Sequence, residues 1–107
     1  MINTALGIID KDGRLVLPSV VSSKSLSGKK FAQFDIKEVR QLPNTVKIDC
    51  SSLENCDSAA IASFIWLVRE LGKFGIKTSW ENISRDLAKL LDLYGLTEII
   101  KNSEKEE

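Results

Sequence analysis

The sequence predicts an α/β domain, and three observations carry that prediction. Short runs with strand character alternate with stretches of helical spacing, as they do in layered α/β proteins. Turn and cap residues fall at the joins: Lys11-Asp12-Gly13 early, Asp57 before the longest helical stretch, and Gly95 after the last one. The chain has 107 residues, 43% of them apolar, which suffices for a core without metal or disulfide staples.

Ala5 to Ile9 and Arg14 to Val21 read as two strands of a hairpin. Ser22 to Lys30 is rich in serine and lysine and reads as a loop. Phe31 to Leu42 is a weak helix, loosely periodic in Phe31, Phe34 and Val39, and Pro43 closes it. Val46 to Cys50 is a strand with Val46, Ile48 and Cys50 on one face. The longest helix runs from Ser58 to about Lys73 with Asp57 as its N-cap. A strand at Ile76 to Trp80 follows, then a helix from Ile83 to Tyr94, with Asn82 or Ser84 near its start. Leu96 to Ile100 is a short apolar anchor. Residues 1–100 are expected to form the domain and 101–107 a charged, flexible tail.

Two sides of the longest helix differ. Ile61, Phe64, Ile65, Val68 and Leu71 have the spacing of a core face. Ser58, Ala62, Trp66 and Arg69 fall on another stripe, with Ala59 and Ser63 beside it. That stripe is small at its start and then carries a tryptophan. Trp66 either packs under a neighbouring loop or helix or anchors a partner, with the small residues permitting close approach. Ser58, at the first helical position, is a cap, a contact point or a phosphorylation site.

Fifteen basic and fifteen acidic residues give a net charge of zero, so no electrostatic footprint for nucleic acid or an anionic membrane is present. No apolar run approaches a membrane span, and Met1 to Gly13 lacks the pattern of a signal peptide. A cytosolic protein is expected, with Cys50 and Cys56 reduced and Cys50 in the core. The chain has no histidine, which removes the usual general base and the commonest zinc ligand. Ser27-Gly28-Lys29-Lys30 fails as a phosphate-binding loop, because Ser23 stands where its first glycine belongs and Lys30 where serine or threonine belongs. Asp49, Glu54 and Asp57 are acidic residues near one strand end, open to a magnesium reading. The plainer reading has Asp57 capping the helix and the other two satisfying turn backbone. No enzyme, metal site or cofactor is expected.

The strand IDCSSL, the turn ENCDSAA opening a helix, the strand KTSWEN and the ending LAKLLDLYGLTEII together resemble a STAS domain, the fold of bacterial anti-sigma factor antagonists. The resemblance covers Val46 to Ile100 and implies a mixed sheet of four to five strands with three to four packed helices. Two subfamilies compete. In anti-sigma factor antagonists the helix start reads Asp-Ser-Ser/Ala-Gly, and the resemblance makes Ser58 the phosphoacceptor of an anti-sigma factor kinase. Ala60 stands where glycine is usual there. The MlaB type is the small cytoplasmic subunit of the phospholipid ABC transporter that maintains outer-membrane lipid asymmetry. Its members are similar at Asp57-Ser58-Ala59-Ala60 and at Leu93-Tyr94-Gly95-Leu96. This resemblance implies a non-catalytic subunit that binds the ATPase of the transporter, with Ser58 at the contact and Asp57, Ala59, Ala62, Trp66 and Arg69 on the docking surface. Such a protein meets the inner membrane only through its partner. In the N-terminal half, Leu17-Pro18-Ser19-Val20 departs from the Gly-x-Leu turn common in the family.

Overall fold

The computed structural model describes residues 1–29, 31 and 33–96. The expected apolar anchor lies outside the described residues beyond Leu96, as does the charged tail. Seven strands form three small sheets among the described residues. The hairpin β1 (Ile2–Thr4) and β2 (Gly7–Ile9) is antiparallel, whereas β3 (Arg14–Val16), β5 (Thr45–Asp49) and β7 (Lys77–Glu81) are parallel in the order β3-β5-β7. Asp10 N–H donates to the Arg14 carbonyl across the Lys11-Asp12-Gly13 turn, which lays β2 beside β3. β4 (Val20–Val21) and β6 (Asn55–Cys56) form a separate parallel pair. The helices are α1 (Ser23–Leu26), α2 (Ile36–Val39), α3 (Ser58–Gly72) and α4 (Arg85–Leu93).

Leu15, Val46, Ile48 and Trp80 point from the parallel strands into the core, where Phe64, Leu67 and Leu71 of α3 meet them. The rings of Phe64 and Trp80 touch edge to face with centroids 5.2 Å apart. Arg14, Val16, Lys47 and Lys77, on the opposite pleat, are exposed, so β3 and β5 alternate apolar-in and polar-out apart from Val16 and buried Asp49.

Several elements differ from the sequence reading, each for a local reason. The strand expected over Ala5 to Ile9 starts only at Gly7, and its hairpin partner is the unexpected strand Ile2–Thr4 rather than the stretch from Arg14, because the Thr4 hydroxyl donates to the Gly7 carbonyl and accepts from Leu6 N–H, folding Ala5 and Leu6 into a buried turn. The stretch Arg14 to Val21 breaks at Pro18, which has no N–H for a ladder. Its second piece instead starts β4, where the Ser19 carbonyl accepts from both Glu54 and Asn55 N–H. The expected loop Ser22 to Lys30 contains α1, started by a reciprocal capping box between Ser22 and Ser25. The signal was present but atypical, with serine where glutamate or glutamine is usual. The helix expected over Phe31 to Leu42 shrinks to α2, because Asp35 caps at Lys37 N–H and leaves Phe31 and Phe34 before the helix start. Ser84, rather than Asn82, caps α4.

The core face of α3 is also rotated from the expected one. Ala60, Ser63, Leu67 and Glu70 are buried beside Ile61, Phe64 and Leu71, whereas Ile65 and Val68 are only half-buried. Glu70 is accommodated through an ion pair with Lys73, Nζ to Oε2 2.7 Å. Ser63 satisfies its hydroxyl by donating to the Ala60 carbonyl at 2.6 Å.

Gly13 is fixed by geometry. Its φ is +78°, and a Cβ there would lie 2.5 Å from Cγ of Pro43 and 3.2 Å from the Thr45 carbonyl oxygen. Gly13→Ala is therefore expected to destabilise by about 1–3 kcal/mol, read as a lower melting temperature. An unchanged melting temperature would contradict the close approach.

Candidate functional site: the start of α3 and the groove beside it

Asp57 enters α3 in extended geometry, and its carboxylate accepts from Ala59 N–H at 2.9 Å and Ala60 N–H at 3.3 Å. This is the expected N-cap. The other oxygen accepts from Ser23 N–H at 3.0 Å, at the first residue of α1. One carboxylate thus fastens the starts of two helices. The Ser23 N–H, together with those of Ala60 and Ala59, holds the Asp57 carboxyl below the usual carboxylate range. Sequence reasoning missed the Ser23 bond, because it depends on α1 forming at all.

Ser58 follows with an exposed side chain at the first position of α3. Ala62 and Arg69 are exposed, and Ala59 and Trp66 are half-buried. The structure therefore brings the six expected surface residues onto one side of α3 and its entry turn. Trp66 has neighbours that its own helix does not supply. Phe31 and Phe34 both meet it edge to face, with centroids 5.0 Å and 5.6 Å away. Packing under a neighbouring loop and lining a surface are both true of this side chain. Between α1 and α3 an open cavity of about 420 Å³ is walled by Leu26, Ser27 and Phe31 on one side and by Ala59, Ala62 and Trp66 on the other.

The other acidic residues are not drawn together. Asp49 is buried at the end of β5, where it accepts from Ser51 N–H at 2.9 Å, from Nδ2 of Asn82 at 3.0 Å and from the Arg14 guanidinium at 2.7 Å. Asn82 leads the causes that hold its carboxyl far below the usual range, followed by Ser51 and, after these, Arg14. Arg14 also reaches Glu81 at 3.6 Å. This network ties β3, β5 and the exit of β7 into one unit. Asn82 sits at φ +59°, a conformation that asparagine adopts more readily than most residues. Glu54 is exposed, and no group of three His, Cys, Asp or Glu among the described residues is placed to hold a metal ion.

Residues 8–107 match the family model for the STAS domain. The chain belongs to the STAS domain family. No curated protein and no solved structure matches it. STAS domains are typically non-catalytic binding modules, and membership supports a general role in protein–protein interaction. Among the described residues, no helix is long and apolar enough to cross a membrane.

The STAS chain carries two free thiols. Cys50 is buried behind β5, whereas Cys56 is half-buried next to Asp57. Desolvation, reinforced by the Asp57 charge, pushes the Cys56 thiol up. In the folded protein, thiol labelling is expected to reach Cys56 slowly and Cys50 only on unfolding. Labelling of Cys50 ahead of Cys56 would contradict this placement.

Proposed function

We propose that this STAS protein is a docking subunit that binds and supports the ATPase of a phospholipid-transporting ABC system maintaining outer-membrane lipid asymmetry. It would act at the cytoplasmic side of the inner membrane through that partner. The observation that carries the docking role is the unequal use of α3. One side of the helix fills the core, while Ser58, Ala62 and Arg69 stand exposed beside half-buried Trp66 and an open cavity. Support for the ATPase as the partner comes from the resemblance at Asp57-Ser58-Ala59-Ala60. Ala60 is fully buried against the core, in the position where the antagonist pattern has glycine. Leu93-Tyr94-Gly95-Leu96 adds less. It ends α4 with Gly95 at φ +72° and Leu96 N–H donating to the Leu91 carbonyl, a helix stop open to any helical protein.

A second reading, an anti-sigma factor antagonist, is favoured by the exposure of Ser58, since a kinase can reach its hydroxyl. Co-purification from the native host with identification of the bound protein separates the two. An ABC ATPase, with unmodified Ser58 by intact mass, is the expected result. Stoichiometric phosphate on Ser58 with a bound anti-sigma kinase would replace it by the second reading. Ser58→Ala is expected to change ATPase affinity by no more than about threefold, and Ser58→Glu to weaken it about tenfold or more by placing a charge in a desolvated contact.

Ala62→Arg is the cleaner probe of the surface, because Ala62 is exposed and its replacement leaves the core alone. Loss of binding with an unchanged melting temperature is expected. Trp66→Ala is expected to lower both affinity and stability, because it also strips two ring contacts from Phe31 and Phe34. Full affinity in Ala62→Arg would move the interface away from α3.

A further inference from the structure

The zero net charge of the chain conceals an uneven distribution. Residues 13–34 hold Arg14, Lys24, Lys29 and Lys30 and no acidic residue, so the remainder is net negative. Arg14 is engaged by Asp49 and Glu81. Lys29, Lys37 and Arg40 are exposed, and among the described residues none of them forms an ion pair. Two large apolar side chains fall between Lys29 and Lys37 in the chain and reach solvent, Phe31 at 41% exposure and Ile36 at 49%.

The fold draws these residues toward one place. Trp66 meets the rings of Phe31 and Phe34 at 5.0 Å and 5.6 Å, which gathers the stretch before α2 around one side chain. Ile36 opens α2 two residues after Phe34. At about 100° per residue, Ile36, Arg40 and Lys37 share an arc of about 100°, and Glu38 falls about 160° from both Ile36 and Arg40. Buried Val39 lies between Glu38 and that arc. The Asp35 carboxylate is engaged as the N-cap of α2, accepting from Lys37 N–H. Neither acidic residue of α2 and its cap therefore sits between the exposed apolar and cationic side chains.

From this we propose that Phe31 and Ile36, with Lys29, Lys37 and Arg40, form a face that binds directly to an anionic lipid surface. The reasoning is complementarity of charge and polarity. Lysine and arginine hold their charged ends at the level of lipid phosphates while their stems lie along apolar neighbours. Exposed aromatic and aliphatic tips between such cations enter the boundary between headgroups and acyl chains. An acidic protein would need a recess beside it to receive those tips, and Ile36 is not among the residues walling the cavity between α1 and α3. Two apolar tips and three cations give weak, reversible attachment, so this contact adds to the hold of a membrane-bound partner rather than replacing it. The inference goes beyond the docking role of α3 and does not depend on it.

The test is sedimentation of the protein with phosphatidylglycerol vesicles and with phosphatidylcholine vesicles. At low salt the phosphatidylglycerol vesicles are expected to bind it about tenfold more tightly, with the difference shrinking as salt rises. Lys37→Glu combined with Arg40→Glu should weaken binding to phosphatidylglycerol about tenfold or more. Ile36→Ser should weaken it severalfold at every salt concentration, because it removes apolar insertion and no charge. Both variants change exposed side chains, and melting temperatures check that they remain folded. Ala62→Arg, on the docking side of α3, should leave vesicle binding undiminished. Equal binding to the two kinds of vesicle, no binding to either, or full binding by the Lys37→Glu, Arg40→Glu variant would overturn the proposal. Binding to polyglutamate with none to vesicles would overturn it in favour of an acidic protein. Capture of the ATPase by a protein that ignores vesicles would leave the proposed function standing and sink only the lipid face. Vesicle binding with no ATPase captured would do the reverse.

Discussion

Phe64→Ala is expected to lower the free energy of unfolding by about 3–5 kcal/mol. The side chain is 1% exposed, and it joins α3 to the sheet through Trp80, which is equally buried. Truncation removes the ring contact and leaves a hole between α3 and β7 that neither rigid element can close. Leu67→Ala should follow at about 2–4 kcal/mol, since Leu67 is fully enclosed. Ile65→Ala should cost about 1 kcal/mol, because Ile65 is only half-buried. Chemical denaturation of the three variants ranks them. An Ile65→Ala loss as large as that of Leu67→Ala would restore the core face expected from periodicity alone and contradict the observed rotation.

The second large effect belongs to Asp49. Asp49→Ala is expected to cost about 2–3 kcal/mol at neutral pH, because it removes the acceptor of three hydrogen bonds, one of them charged. The pH dependence follows from the depressed carboxyl. Between the ordinary carboxylate pKa of the unfolded chain, 3.8, and the lower value in the fold, the unfolded state binds more protons, so stability rises with pH. The contribution is complete above the unfolded value and is lost as pH falls through the folded one. Asp57, also depressed, acts in the same direction. Asp49→Asn should therefore be less stable than the native protein at neutral pH and should lose less on acidification. Parallel acid-denaturation curves for the two would contradict a special role for Asp49.

How much of this was readable beforehand varied with the range of the interactions involved. α3 and its cap were legible because Asp57 and the spacing of Ile61, Phe64 and Leu71 are local signals. Its rotation was not, because Ala60, Ser63 and Glu70 do not look like core residues in a hydropathy pattern. Burial of Ser63 and Glu70 depends on a back-bonded hydroxyl and a lysine partner one turn away. β6 escaped the sequence reading, and β4 was merged into one longer strand with β3, for another reason. Each has two residues, and each exists through the partner that the turn at Pro18 brings alongside. At the site, the stripe of Ser58, Ala62, Trp66 and Arg69 was available from helical geometry. The groove was not, because its second wall comes from α1 and Phe31, in a stretch that reads as loop and weak helix.

That second wall is lightly held. α1 is one turn long, Leu26 is its only buried residue, and a second cavity of about 300 Å³ lies on the other side of the same leucine. Beyond its own capping box, α1 is tied to the body of the protein by the bond from Ser23 to Asp57. A segment with so little burial opens at far lower free energy than the strands behind it. In hydrogen exchange, the amides of Leu26 and Lys29 should trade protons long before the ladder amides of β5. Exchange across α1 would then report the Ser23–Asp57 fastening directly, and occupation of the groove should slow it while leaving the rates in β5 unchanged.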